Sequence, residues 1–318
     1  MTPSRIALVT GANQNLGRAL VAGLAARLTP ADRVLLTGRD PARVGVAARE
    51  LTAQIPDGAV IEPRLLDVRD PHAVRSLAAD VGEVDIVFSN AAARMSPDDD
   101  PADAVDVVAD TNNNATSTML REFAPRIRDG GRFIIVASAL GTLDKLPASV
   151  RPRFANAAAA DLDAVDRLVD EWRHSVKAGR AVREGFGSWL NIPSKVAQVA
   201  AVRAVARTRR SEDLQHGSLL IALCPGLIDT EASRPWFEDM SNAQTPGAAA
   251  TWPVELALSD HFDPAYYGEL VQFGTVLPWD HDPTVTETVT GQATTPDHPP
   301  GGGGRSSWRA MAAGTGAP

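Results

Sequence analysis

The sequence predicts an α/β protein built on a doubly wound parallel sheet of about seven strands. Three observations predict it. Short aliphatic runs alternate with longer amphipathic stretches from the start to about residue 275. The first such run leads into a glycine-bearing turn and then a helical stretch. Runs such as Ile134-Ile135-Val136 are apolar without interruption, as strands covered on both faces require.

In order, strands are expected at 5–10, 33–37, 60–66, 85–89, 132–137, 218–223 and 270–273, and helices at 16–28, 41–54, 71–81, 102–127 and 194–206. Two segments interrupt the alternation. An insertion at about 143–187 contains Leu162, Val165, Leu168, Val169, Trp172 and Val176 at helical spacing, a stripe that reads as packing against the domain rather than a ligand wall. From 281 to 318 the chain is rich in Thr, Pro, Gly and Ser and lacks periodic apolar residues, so it reads as a disordered tail beside a single domain of 1–280. The run Asp98-Asp99-Asp100 reads as a helix cap or solvated loop, not a cation site.

Composition narrows the function. A formal charge of −8 opposes a nucleic acid or an anionic membrane as main partner. Cys224 is the one cysteine, which excludes an internal disulfide and a cysteine zinc site. The histidines (His72, His174, His216, His261, His281, His298) are scattered without ligand spacing, so no metal is expected. No apolar run reaches signal-core or membrane-spanning length, and the expected compartment is the cytoplasm. There is no Gly-x-Ser-x-Gly elbow and no Gly-Lys-Ser/Thr after the glycine turn, which disfavours an α/β-hydrolase and a P-loop nucleotidase.

The turn reads Thr10-Gly11-Ala12-Asn13-Gln14-Asn15-Leu16-Gly17. A strand feeding a tight turn and a helix N-terminus presents backbone N–H groups and a helix dipole to a phosphate. Gly11, Asn13, Asn15, Leu16 and Gly17 are therefore the candidates to hold a pyrophosphate. After the second strand stands Arg39, where an acidic residue would hold a ribose 2′-OH and an arginine suits a 2′-phosphate. Arg39 therefore favours NADPH over NADH as the cofactor.

This pattern resembles the Thr-Gly-x-x-x-Gly-x-Gly fingerprint of the short-chain dehydrogenases/reductases, with Asn15 at the middle glycine. Asparagine tolerates a left-handed backbone, so the turn survives. The resemblance implies a Rossmann fold and extends over about residues 4–278. It matches Asp67 to the residue that contacts adenine, and Ser89-Asn90-Ala91-Ala92 to the family's Asn-Asn-Ala-Gly, which makes Asn90 a cofactor neighbour. It matches Asn112 to the helix asparagine, Ser138 to the serine after the fifth strand and Lys195 to the lysine of Tyr-x-x-Ser-Lys. In the family that lysine holds the nicotinamide ribose and lowers the pKa of the tyrosine.

Gly185 to Lys195 is similar to the stretch before the lysine in the monomeric carbonyl-reductase branch, which also carries a helical insertion. Cys224-Pro225-Gly226-Leu227-Ile228-Asp229-Thr230 resembles that branch's segment near the nicotinamide, which implicates Pro225, Gly226 and Thr230. At the tyrosine position itself stands Asn191. Tyr266 and Tyr267 are the only tyrosines, and the resemblance puts them away from the hydride site.

The reading is an NADPH-dependent reductase of a carbonyl or imine in a small organic molecule, with Ser138, Lys195, Asn112 and Asn191 as its catalytic set. An amide cannot supply the proton that a phenol would, so Lys195 acting through a water, or an acidic group on the substrate, takes that task. The alternatives are a non-redox cyclase, dehydratase or isomerase on the same scaffold, or a cofactor-sensing binding protein. The insertion is expected to cover a dimer face, giving a monomer. The segment 231–248, with Trp236 and Phe237, is expected to be a substrate loop for an apolar molecule.

Overall fold

The computed structural model describes residues 4–280. The expected alternation is present. Strands β1 (Ile6–Val9), β2 (Arg33–Gly38), β3 (Val60–Leu65), β4 (Val84–Ser89), β5 (Ile127–Val136), β6 (Leu219–Leu223), β7 (Leu270–Gln272) and β8 (Thr275–Leu277) form one sheet in the order β3-β2-β1-β4-β5-β6-β7-β8. The expectation of about seven strands is corrected to eight. Strands β1 to β7 pair in parallel, and β8 turns back antiparallel on β7. The turn between them is Phe273-Gly274, both with positive φ (47° and 76°), as a two-residue hairpin of this hand demands. Three residues with a Phe in place of the usual Asn gave no readable hairpin signal in the sequence.

Helices cover both faces: α1 (Asn15–Ala25), α2 (Pro41–Gln54), α3 (Pro71–Val81), α4 (Pro101–Val108), α5 (Ala115–Phe123), α6 (Arg151–Ala160), α7 (Leu162–Lys177), α8 (Asn191–Gln215) and α9 (Pro246–Leu258). The helix expected over 102–127 is interrupted. A π turn, Ala109–Asn114, separates α4 from α5, and β5 begins already at Ile127. The Lys195 helix is longer than expected at both ends, and α6 and α9 were not foreseen. The latter begins inside the expected substrate loop and carries Pro253.

The core is the apolar sheet: Ala7, Leu8, Val9, Val34, Leu35, Leu36, Ile134 and Ile135 are fully buried. The insertion stripe packs inward as expected, with Val165, Leu168, Val169, Trp172 and Val176 all buried. Its polar flank fastens α7 to its neighbours. Arg173 binds Asp106 at 2.6 Å and Asp110 at 3.1 Å, Lys177 binds Asp106 at 2.6 Å, and Arg121 binds Asp166 at 2.7 Å. Asp100 accepts the Ala102 N–H and caps α4, which accounts for one carboxylate of the acidic run. No helix among the described residues is long and apolar enough to cross a membrane. The segment 281–318, read as a disordered tail, lies outside the described residues, and His281 and His298 with it.

Candidate active site

In a parallel sheet the residues that follow each strand's carboxyl end share one edge, and ligands bind where the strand order reverses. Here that reversal lies between β1 and β4. Thr10 follows β1, Arg39 follows β2, Asp67 follows β3, Asn90 follows β4, Ser138 follows β5 and Cys224 to Gly226 follow β6. The topology therefore brings the predicted residues to one edge of the sheet.

The glycine turn is locked to the loop after β4. Thr10 Oγ1 accepts the N–H groups of Asn90 and Ala91 at 2.9 and 3.0 Å, and Asn90 Nδ2 donates to the carbonyls of Thr10 and Gly11 at 2.9 and 3.3 Å. A Cβ on Gly17 would lie 2.5 Å from the Gly11 carbonyl oxygen and 2.6 Å from Asn90 Nδ2, so only glycine fits. Asn15 has φ +48°, the left-handed conformation expected for it. Asn13 is tucked under the end of β2, its Oδ1 2.8 Å from where a Gly38 Cβ would stand, and Leu16 is buried in the core. These two shape the turn from beneath.

The first turn of α1 carries no side-chain cap, because Gln14 turns instead to Arg43. Asp40, Asp70, Asp100, Asp161 and Thr245 each accept first-turn N–H groups of α2, α3, α4, α7 and α9. The helix facing the glycine turn is thus left with donors for an anion.

Beyond the turn an open cavity of about 720 Å³ is lined by Arg39, Asp40, Pro41, Leu65, Asp67, Asp70 and Ala73. Asp67 is gripped by Arg69 at 2.7 Å, which holds its carboxyl below the ordinary range, with Arg39 contributing in the same sense. Arg39 itself is exposed and makes no hydrogen bond among the described residues. An anionic group entering the cavity meets it directly.

On the other side of the reversal, α8 carries Asn191 and Lys195 one turn apart. The half-buried Lys195 donates from Nζ to Gln198 Oε1 at 2.8 Å. Burial lowers its ammonium from 10.5 to about 8, and only the nearby Cys224 acts in the opposite sense. The half-buried Asn191 side chain makes no hydrogen bond among the described residues. Ser138 caps the short turn Ala139–Gly141 by accepting the Leu140 N–H at 3.2 Å. That turn lies against α8, since a Gly141 Cβ would stand 3.1 Å from the Lys195 carbonyl oxygen.

Asn112 sits in the π turn, 1% exposed. Its Oδ1 accepts the Ala93 N–H at 2.8 Å and its Nδ2 donates to Ser194 Oγ at 3.0 Å. The neighbouring Asn113 donates to the Ser194 carbonyl at 2.8 Å. Asn112 therefore clamps the start of α8 to the loop after β4 and shapes the site by position, while Asn113 ties the π turn to α8. Irregular π turns of this kind recur at functional sites.

The segment after β6 closes the floor. The Cys224 thiol, pushed up by burial, accepts the N–H groups of Gly226 and Ala139 and so ties two strand-end loops together. Gly226 has φ +81°, and the Phe273 ring would lie 2.8 Å from a Cβ there. Gln244 Nε2 donates to the Pro225 carbonyl at 3.3 Å. Thr230 Oγ1 and Ser233 Oγ are 3.0 Å apart in a local turn.

Over the site, Trp189 and Trp236 meet with ring centroids 5.5 Å apart, and Trp236 Nε1 donates to the Met95 carbonyl at 3.3 Å. Tyr266 donates to the Gly274 carbonyl and Tyr267 to Asp213, so both phenols are engaged elsewhere. Gln198, Thr116 and Trp189 were not anticipated from sequence. The signal for Gln198 was a single amide within the apolar run Val196-Ala197-Gln198-Val199-Ala200.

Residues 5–150 match the short chain dehydrogenase family. The chain is 29% identical over 286 residues to mouse carbonyl reductase [NADPH] 3, an alignment covering 87% of this chain and 99% of that protein. Pig carbonyl reductase [NADPH] 1 is 28% identical over 87% of this chain and 94% of its own length. Among solved structures, salutaridine reductase from Papaver somniferum superposes with a TM-score of 0.70 at 20% identity, covering 84% of this chain and 99% of that one. NADPH-bound carbonyl reductase from chicken fatty liver gives 0.61 at 19% identity, covering 88% and 96%. Residues 5–150, which hold the glycine turn and the first five strands of the sheet, are thus similar to the short-chain dehydrogenases.

Proposed function

We propose that this chain is an NADPH-dependent reductase of a carbonyl or imine carbon in a small organic molecule, with Lys195 rather than a tyrosine bringing the proton. The observation that carries the reading is the uncapped turn from β1 into α1, followed along the same edge by Arg39, which makes no hydrogen bond among the described residues, and by Lys195. The residues fit NADPH: α1's free first-turn N–H groups suit the pyrophosphate, Arg39 the 2′-phosphate, and Lys195 with the Pro225-Gly226 segment the nicotinamide end. NADPH when bound supplies the hydride. The related carbonyl reductases, which carry NADPH in their names, support the same cofactor.

In this reading Asn191 stands at the tyrosine position. Its amide donates a hydrogen bond to a substrate oxygen and polarises it, as Ser138 does, but transfers no proton near neutral pH. Lys195 is the titratable group for that task. With a pKa of about 8 it is mainly protonated at neutral pH and gives up a proton far more readily than a solvated lysine. It acts through a water. The Trp189–Trp236 pair forms an apolar wall for the organic substrate. We also read the chain as a monomer, because α7 of the insertion covers the α4–α5 side.

The test follows NADPH oxidation by the native protein and by Asn191→Tyr with quinones, isatins, simple ketones and cyclic imines. Native turnover is expected with the more electrophilic substrates. The tyrosine variant should gain on simple ketones by on the order of 10²-fold or more, the value of a positioned general acid. If neither protein oxidises NADPH, and products form without a change in oxidation level, the non-redox alternative replaces this reading.

A further inference from the structure

Lys195, half-buried on α8, has no carboxylate partner among the described residues, and its hydrogen bond leads into the core. Nζ donates to Gln198 Oε1 at 2.8 Å, Gln198 Nε2 donates to Thr116 Oγ1 at 3.0 Å, and Thr116 Oγ1 donates to the Asn112 carbonyl at 2.6 Å. Every donor points the same way, and the chain ends on backbone in the π turn. Gln198 and Thr116 are each 2% exposed. An amide buried among valines and alanines is costly unless both of its ends are bonded, and here both are.

We propose that Gln198 is a positioning residue for Lys195, its amide being the acceptor that fixes the ammonium where a phenol partner is missing. Thr116 and the Asn112 carbonyl hold the amide in turn, so the π turn sets where the ammonium stands. The arrangement is a tether and not a proton wire. A carboxamide accepts at oxygen and donates at nitrogen, and carrying a proton across would require its imidic acid form. Lys195 therefore exchanges its proton on the substrate side. The proposal deepens the reductase reading and rests on it for the proton's use, while the tether itself is testable without turnover.

Few charged groups compete for Lys195. Cys224, at the end of β6, is the titratable group that faces it. On the π turn Asp110 is turned to Arg173 and Asn114, and on α7 Asp166 is held by Arg121 and Ser117. On α6 Arg153 pairs with Glu171, on α8 itself Arg203 pairs with Glu269, and after the Ala139–Gly141 turn Asp144 pairs with Lys145.

The experiment titrates Lys195 directly. The chain has three lysines, so acylation by acetic anhydride across pH, read by peptide mass spectrometry, resolves Lys195 from the exposed Lys145 and Lys177. In Gln198→Leu the Lys195 midpoint should fall by about one unit or more, because the charged form loses its acceptor. In Gln198→Glu it should rise, and in Thr116→Val it should fall by less than in the leucine variant. Lys145 and Lys177 should not move in any of them. Midpoints for Lys195 within about 0.3 unit of native in both the leucine and glutamate variants would overturn the proposal, since shifts near one unit are the size of a lost charged hydrogen bond. Should the leucine variant not fold, the glutamate and valine variants decide. A shifted midpoint in a protein that never oxidises NADPH sustains the tether and removes only the reductase reading.

Discussion

Asn15 and Asn191, which the sequence reading matches to a glycine and a tyrosine position, lie in regions with different demands on the residue. Around Asn15 the requirement is conformational. The backbone needs φ +48°, asparagine adopts it, and the Thr10–Asn90 bonds hold the turn regardless of that side chain. Around Asn191 the requirement is chemical. The helix start is held by Asn112 and Asn113 whatever residue stands at 191, so in the proposed reading the geometry is kept and only the proton donor differs. A binding turn tolerates a substitution that preserves its shape, whereas a catalytic helix can keep its shape and still lose a step.

Three variants sharpen or break that contrast, beginning with the largest effect. Lys195→Met should lower turnover by on the order of 10²–10⁴-fold, as for a positioned proton donor. The native rate should fall as pH rises through about 8, since only the protonated ammonium has a proton to give, and the variant's residual rate should lose that fall. Steady-state rates from pH 6 to 10 check both; a variant as active as native would erase the distinction between the two regions.

Gly17→Ala comes next. Its Cβ would press on the Gly11 carbonyl and Asn90 Nδ2, so it should destabilise the domain by about 1–3 kcal/mol and abolish tight NADPH binding. Thermal melts and fluorescence titration with NADPH measure this. Smallest is Arg39→Ala, expected to weaken NADPH about tenfold with NADH unchanged, for loss of one charged hydrogen-bond partner of a phosphate. Equal weakening of both cofactors would remove Arg39 from the 2′-phosphate site.

The strand ends were legible in the sequence because aliphatic runs and turn residues are local signals. Gly11, Gly17, Asn90, Ser138 and Cys224 all emerged at the expected edge of the sheet. The stripe through Trp172 was legible for the same reason, as periodicity on one helix. Asn112 was expected on a helix and sits in the π turn, and its partners Ala93 and Ser194 were not legible because they lie 19 and 82 residues away. Likewise, β8 escaped notice because three residues in a hairpin carry too little pattern, and α9 because Pro253 and its alanines hide its period.

By itself the sequence determined the layered α/β architecture, the left-handed turn at Asn15, the absence of a tyrosine from the Lys195 helix and the position of Arg39 at a strand end. These follow from residue type and spacing over a few neighbours. Only the tertiary structure decided which polar atoms meet. It left α1 uncapped while the helices after β2, β3 and β4 are capped, brought Trp189 to Trp236, and joined Gln198 to Thr116 across 82 residues of chain. Those pairings depend on how the helices pack on the sheet, and a buried polar atom takes whichever partner that packing delivers.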